Sequence, residues 1–433
     1  MKKLLTVVLA SFMILTACSN NANTGNAGNT GTQPSGKQEI TVWAWDKAFN
    51  VGAMEKAKAM YTETNSDVTI NVIENAQADI IQKLNAGFNS GTTKTLPTIV
   101  LIEDYRAQSF LQAYPDSFFA LDEFINAADF ADYKIGPTSF DGKQYGVPFD
   151  TGVTGLYVRT DYLEQAGYTV ADLQDITWDQ YIEIGKAVKE KTGKQMLTQD
   201  PNDLGLIRMM IQSAGSWYLQ EDGTTPHLAD NAALTQAFET YKNIMDAGIV
   251  KVISDWSQFV GAFNNGDVAS VPTGNWITAS IKAEASQSGN WAVVPFPTLP
   301  NVAESVHASN LGGSSWYVLN VDGKEAAAEF LKATFGSSVE LYQTLVTDIG
   351  AIGTLKAAAT GEAYTTADEF FGGQKAISDL AAWTEQIPNV NYGMHTYAIE
   401  DILVVEMQNY MNGTELSKAL SNAQTQADSQ IRK

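Results

Sequence analysis

Apolar and polar positions alternate from Ile40 to Trp45. Ile40, Val42 and Ala44 fall on one face and Thr41, Trp43 and Trp45 on the other, the period of a strand. Asp46, Lys47, Phe49 and Asn50 interrupt it. A helical spacing then runs to about Glu63, with Met54, Ala57 and Tyr61 on one stripe and Asn50 at the N-cap position. Val68 to Val72 alternates as a second strand. Ile80, Leu84 and Phe88 mark a second amphipathic helix that stops near Gly91. Thr98-Ile-Val-Leu-Ile102 is a continuous apolar run of the kind buried in a parallel sheet. Strand, helix, strand, helix, strand predicts right-handed βαβ units on a parallel sheet.

Two of these strands end in aromatic and charged residues: Trp45, Asp46 and Lys47 after the first, Glu103, Asp104, Tyr105 and Arg106 after the third. Ligands of open α/β sheets lie beyond the carboxyl ends of strands. Aromatic rings beside charged groups suit a polyhydroxylated ligand, because the ring covers sugar C–H faces and the charges hydrogen-bond hydroxyls. The alternative for Trp43 and Trp45 is the core of the first strand, and for Asp104 and Arg106 a solvated pair at a helix start.

Further along, Asp141-Gly142 is a turn signal. Gly152 and Gly155 interrupt a strand-like run after Asp150, as a crossing between two lobes would. Tyr162 to about Gly248 reads as helical, with Trp217 and Tyr218 on a helix end or loop. Gly266 to Val271 leads into Gly274-Asn-Trp276 just before a helix. Trp291 to Val294 is a strand, and Glu325 to Phe335 a helix. Leu311 to Leu319, with its glycine-rich entry, is a second candidate crossing, and Thr347 to Gly361 a third. Tyr392 sits in an aperiodic loop as an exposed aromatic. Ile399, Leu403, Glu406 and Tyr410 close the chain with a helix. Trp178, Trp291 and Trp383 read as core.

The amino terminus sets the compartment. Lys2 and Lys3 precede an apolar run, Leu4 to Leu15, too short for a stable span. Leu15-Thr-Ala-Cys18 resembles the bacterial lipobox, whose cysteine becomes the first mature residue and carries a diacylglycerol. Cys18 is the one cysteine, so no intrachain disulfide can form. Residues 19–37 are Asn, Gly, Thr and Ser with few apolar groups, a tether that cannot bury a core. With 27 Lys and Arg against 49 Asp and Glu, the chain would repel nucleic acid. Residues 38–433 exceed a single core.

In this order, the motifs resemble the substrate-binding lipoproteins of ABC importers, within the carbohydrate-binding, maltose-binding-protein-like cluster (family 1 solute-binding proteins), over essentially all of residues 38 to 433. Ile40 to Asn50 matches the first strand and Asp-Lys turn. Thr98 to Arg106 matches the third strand, Gly146-Val-Pro-Phe-Asp150 the first crossing, and Ala262 to Trp276 the segment whose tryptophan stacks on sugar. The resemblance implies an α/β, two-lobed periplasmic-binding-protein fold of type II, with a mixed, mostly parallel sheet in each lobe and hinge crossings between them. The expected parts are a signal peptide (1–17), a lipidated Cys18 and tether (18–37), an N-terminal lobe (38–150 with 312–360) and a C-terminal lobe (151–311 with 361–433). The expected ligand contacts are Trp45, Asp46, Lys47, Asp104, Arg106, Asp150, Trp217, Trp256, Trp276, Trp316 and Tyr392. The implied role is delivery of a sugar to ABC permease subunits by a monomer, lipid-anchored at the extracellular face of a Gram-positive-type membrane. No cofactor is implied. The Trp-Ala-Trp-Asp opening is closest to members handling lactose, arabinosides or similar short oligosaccharides.

Two other classes compete. A secreted glycoside hydrolase needs a spaced carboxylate pair, and no local signature marks one. A metal, amino-acid or polyamine binder is the other. His227, His307 and His395 are well separated and no second cysteine exists, which disfavours a transition-metal site. The sugar's identity, length and linkage are not encoded in side-chain types.

Overall fold

The computed structural model describes residues 38–431; Cys18, the apolar leader and the tether lie outside them. Strand β1 (Gln38–Ala44) pairs in parallel with β2 (Val68–Glu74) and β3 (Ile99–Glu103). Ile40, Val42 and Ala44 are buried, as their alternation requires. The helix Gln77–Ser90 ends on Gly91, which takes the left-handed conformation at φ 67° that a glycine C-cap adopts without strain. Asn50 does not cap the first helix. Asp46 instead caps the π-turn Lys47–Val51 ahead of it, its side chain accepting from the N–H groups of Ala48 and Phe49 at 3.1 and 3.2 Å. That turn buries Asn50 and leads into the helix Gly52–Thr62, which has no side-chain cap.

A hairpin of β4 (Ser139–Phe140) and β5 (Lys143–Gln144) turns on Asp141-Gly142, both at positive φ. β6 (Gly146–Pro148) follows, and the chain then enters a second sheet. There β7 (Thr154–Arg159) is central; β8 (Leu197–Gln199) and β9 (Val250–Val252) form a parallel pair; and β10 (Ser270–Gly274) and β11 (Trp291–Val294) flank β7 antiparallel. The Ser270 N–H donates to the Met196 carbonyl at 2.8 Å, joining the small pair to β10. Finally β12 (Ser314–Val318) returns to the first sheet, antiparallel to both neighbours, giving the order β2-β1-β3-β12-β6. Parallel pairing is thus confined to β1–β3 and β8–β9. The strands next to the points where the chain changes sheet run antiparallel.

The stretch from Tyr162 to Gly248 is not continuously helical. It contains the helices Thr160–Ala166, Trp178–Thr192, Gly205–Ser213 and Ala232–Asp246, with β8 between the second and third. Three residues are too few to show a period of two. A last helix, Leu416–Gln430, buries Ala419, Leu420, Ala423 and Ala427, a small-residue stripe that hydrophobicity alone hides.

The chain crosses between the sheets three times, and the crossings lie side by side. Asp150 bridges Gly353, and Val153 bridges Asn310. The Leu311 N–H donates to the Gly152 carbonyl at 2.8 Å, and the Thr151 N–H to the Ile352 carbonyl at 3.0 Å. Gly152 sits at φ 59°, and a Cβ there would lie 2.8 Å from the Gly313 nitrogen and the Leu311 oxygen, so only glycine allows this approach. One apolar cluster runs from beneath the first sheet to one face of the second, and another covers the second sheet's other face. Trp316, Phe149 and Phe335 pack beneath the first; Trp178, Tyr181 and Phe296 pack beneath the second.

Candidate functional site

A cavity of about 220 Å³ opens where β8, the helix Gly205–Ser213, the helix Trp256–Asn264 and the end of β10 converge on the crossing residue Leu311. Its aromatic wall is Trp276 and Trp256, ring centroids 5.8 Å apart and 40° inclined, with Phe259 beside Trp256 at 5.4 Å. Trp256 is 55% exposed, an unusual exposure for so large an apolar surface. Trp276 is oriented by its indole N–H, which donates to the Leu311 carbonyl at 2.9 Å. Gly274 makes room for that ring: a Cβ there would sit 2.3 Å from the indole nitrogen.

Three carboxylates, Asp200, Asp203 and Asp255, line the same cavity. Each is held by local backbone. Asp200 accepts from the Asn202 N–H at 2.9 Å, Asp203 from the Gly205 N–H at 2.7 Å, and Asp255 caps its helix by accepting from the Gln258 N–H at 2.9 Å. A carboxylate has about four acceptor sites, so each keeps capacity for a ligand hydroxyl. Among the described residues no Lys or Arg lines the cavity, and the nearest guanidinium is Arg208, 3.7 Å from Asp203.

The other sheet contributes a second surface. Trp45 is half-buried and lines a small gap with Glu103, Arg106 and Phe110. Asp46 and Lys47 are exposed at the end of β1. Arg106 lies 3.7 Å over the ring of Tyr397, from the C-terminal half of the chain, and the Tyr397 hydroxyl donates to Glu103 at 2.5 Å. Burial raises the Glu103 carboxyl above its usual range, against the lowering effect of the Tyr397 hydrogen bond and of Arg208 and Arg106. Arg208 in turn pairs with Glu400 at 2.6 Å.

The remaining expected contacts fall elsewhere. Trp316 has 0% exposure, packed in a three-ring cluster with Phe149 and Phe335, and offers no stacking face to a ligand. Its strand is buried on both faces, so neither side of β12 opens to a ligand. Trp217 and Tyr392, each 2% exposed, form a buried cluster with Tyr105: Trp217 stacks on it at 5.5 Å and Tyr392 meets it edge-on at 4.7 Å. Their polar atoms are engaged, the Trp217 indole with Thr396 at 3.0 Å and the Tyr392 hydroxyl with Asn310 at 3.0 Å. Tyr392 is therefore not the exposed loop aromatic its setting predicted. Asp104 and Asp150 are buried in the crossing region, where Lys134 pairs with Asp104 and the Ser314 N–H donates to Asp150 at 2.7 Å. Burial raises the Asp150 carboxyl to about 6, opposed by Lys134. Trp178 and Trp291 are core residues.

Asp200, Asp203, Asp255, Glu103 and Tyr397 are absent from the expected contacts. The turn Gln199-Asp-Pro-Asn-Asp203 was a readable signal for a loop at a strand end. Ser254-Asp255 before Trp256 was readable as a helix start.

The chain has relatives among known proteins. The chain is 47% identical over 394 residues to a lactose-binding protein of Rhizobium radiobacter, covering 91% of this chain and 93% of that one. It is 24% identical over 315 residues to an arabinooligosaccharide-binding protein of Halalkalibacterium halodurans, covering 70% and 68%. Its fold matches the galacto-N-biose-/lacto-N-biose I-binding protein of the ABC transporter from Bifidobacterium longum, solved with lacto-N-biose. The TM-score is 0.74 at 18% identity, over 92% of this chain and 98% of that one. The two-lobed, type II binding-protein fold is therefore the fold of this chain. Residues 56–372 match the family described as bacterial extracellular solute-binding protein. With most of its length covered by that match and by a close relative, the chain belongs to the bacterial extracellular solute-binding protein family, whose members bind solutes rather than transform them.

Proposed function

We propose that this protein binds a short, neutral oligosaccharide of the lactose or arabinoside type between its lobes and delivers it to the permease of an ABC importer. The observation that carries the reading is the cavity in which Trp276 and Trp256 face Asp200, Asp203 and Asp255. The rings cover the apolar faces of pyranoses, and the carboxylates accept hydroxyl protons in charge-assisted bonds. Three carboxylates against one neighbouring guanidinium, Arg208 at 3.7 Å from Asp203, leave this wall net negative, which disfavours a uronic acid. The lactose-, arabinooligosaccharide- and lacto-N-biose-binding relatives support the same substrate class. Trp45, Asp46, Lys47 and Arg106 form the facing surface of the N-terminal lobe (38–150 with 312–360), which closes on the C-terminal lobe (151–311 with 361–433).

The protein acts as a monomer on the outer face of a Gram-positive-type membrane, held by a diacylglycerol on Cys18 after removal of residues 1–17. Lys2, Lys3, the Leu4–Leu15 run and the polar tether support this placement. Substituting Cys18→Ala releases the protein into the medium and abolishes incorporation of labelled palmitate; retention on the cell with label still incorporated refutes the anchor.

The substrate test is thermal unfolding against lactose, arabino-oligosaccharides, lacto-N-biose and galacturonic acid. A ligand of the folded state raises the midpoint once its concentration exceeds Kd. A neutral oligosaccharide raises it, galacturonic acid does not, and Trp276→Ala removes the rise. A rise with an amino acid, a polyamine or a metal and none with any sugar overturns the reading.

A further inference from the structure

We propose that Lys134 is the positioning residue of the hinge, pinning the ends of two crossings so that lobe rotation is confined to residues 151–153 and 311–313. Lys134 is fully buried, at the end of a short 3₁₀ turn, Asp132–Lys134. An ammonium has three donors and no acceptor, and all three are engaged on different segments. One goes to Asp104 at the carboxyl end of β3, one to the Asp150 carbonyl at 2.9 Å, and one to the Ser314 carbonyl at 3.1 Å. Asp150 ends the chain's first run through the N-terminal lobe, and Ser314 begins its return. One side chain thus ties the fixed ends of both crossings to the third strand of the sheet.

The surrounding bonds close the same knot. The free oxygen of Asp104 accepts from the Ser315 hydroxyl at 2.9 Å, and its N–H donates to the Gly313 carbonyl at 3.1 Å. Asp150 accepts from the Ser314 N–H. The neighbouring Tyr133 hydroxyl donates to the Thr151 carbonyl. Beyond the knot the backbone becomes glycine-rich. Gly152, Gly312 and Gly313 all lie at positive φ, and a Cβ on Gly313 would stand 2.9 Å from the Asp104 carboxylate. Rigid ends joined by left-handed glycines define where a hinge bends, since a few residues must absorb the φ/ψ change. A buried ion pair contributes little net stability compared with an apolar pair of the same shape. That favours a geometric role for this one.

The inference rests on the lobes moving about the crossings, not on the sugar, and its test needs no ligand. Spin labels on cysteines replacing exposed Glu55 and Glu190, one per lobe, in the full chain carrying Cys18→Ser report the interlobe distance distribution. With Lys134 intact the distribution is narrow. In Lys134→Met, and in Lys134→Met with Asp104→Asn, which leaves no unpaired Asp104 charge, its width at least doubles. A variant of unchanged width with a lowered unfolding midpoint makes Lys134 a stabilising core group only and overturns the proposal. Amide hydrogen exchange reads the pin directly: in Lys134→Met with Asp104→Asn the amides of residue 104 and Ser314 exchange at least tenfold faster than in the unmutated chain, while those of the helix Gly205–Ser213 keep their rates; unchanged rates at residue 104 and Ser314 overturn the proposal.

Discussion

Tryptophan and aspartate occur both in the cavity beside Leu311 and in the interior around the crossings, and they meet opposite fates. Trp276 and Trp256 present ring faces to open space, whereas Trp316 is enclosed by Phe149 and Phe335. Asp200, Asp203 and Asp255 use part of their acceptor capacity on local turns and caps. Asp104 and Asp150 are enclosed and tied to Lys134, Ser315 and Ser314. The residue type says what a side chain can bind. Whether its atoms are already taken says whether it does.

The two settings differ most at the tryptophans. Trp316→Ala lowers the stability of the ligand-free protein by about 3–5 kcal/mol, the usual cost of deleting a buried tryptophan. Trp276→Ala leaves the ligand-free midpoint nearly unchanged and abolishes the sugar-induced rise. Paired unfolding curves with and without lactose separate the two. Equal losses of ligand-free stability would mean that both rings are core.

The carboxylates come next. Asp203→Asn removes a charged acceptor at the cavity, and hydrogen bonds to charged groups are worth about 1.5–3 kcal/mol. Titration calorimetry with the sugar that binds should show Kd raised about 10- to 100-fold, with unfolding unchanged.

At the hinge, pH reads the contrast. Asp150 has a carboxyl raised to about 6 by burial, against about 3.9 when unfolded. The folded state therefore takes up its proton first as pH falls. This group's contribution to stability is fully present below about pH 4 and is lost as pH rises through about 6. Asp150→Asn flattens that part of the profile, by at most about 1.4 kcal/mol per pH unit. An identical profile in the variant would place Asp150 in contact with water.

The smallest effect belongs to Tyr397→Phe, which removes the hydrogen bond from Tyr397 to Glu103 but keeps the ring under Arg106. Affinity for the sugar should fall only several-fold, on the scale of about 1 kcal/mol for one hydrogen bond; a hundredfold loss would make the hydroxyl a ligand contact.

Much of this was legible locally. Gly274-Asn-Trp276 announced an aromatic at a strand end with small neighbours, and Trp276 lines the cavity. The Asp200–Asp203 turn carried a readable signal too, but it lies inside the stretch whose helical spacing masks β8, and Asp255 follows just after that stretch ends. Trp316 lies on a strand between β3 and β6 that is covered on both faces, so a ring that looks free in the local pattern has no open side. Tyr392 was misassigned because an aperiodic loop is usually exposed, and this one packs on Tyr105 and Trp217.

The periodic elements of the first βα units, the glycine-marked crossings and the aromatic, acidic chemistry are written in the local sequence, because each follows from short-range spacing and backbone freedom. The tertiary structure alone decided which tryptophans and aspartates remain free to meet a ligand. It also placed a lysine ammonium in the interior, where its three donors find carbonyls and a carboxylate from segments up to 180 residues away in the chain. Burial and partner choice are properties of packing, and no local pattern carries them.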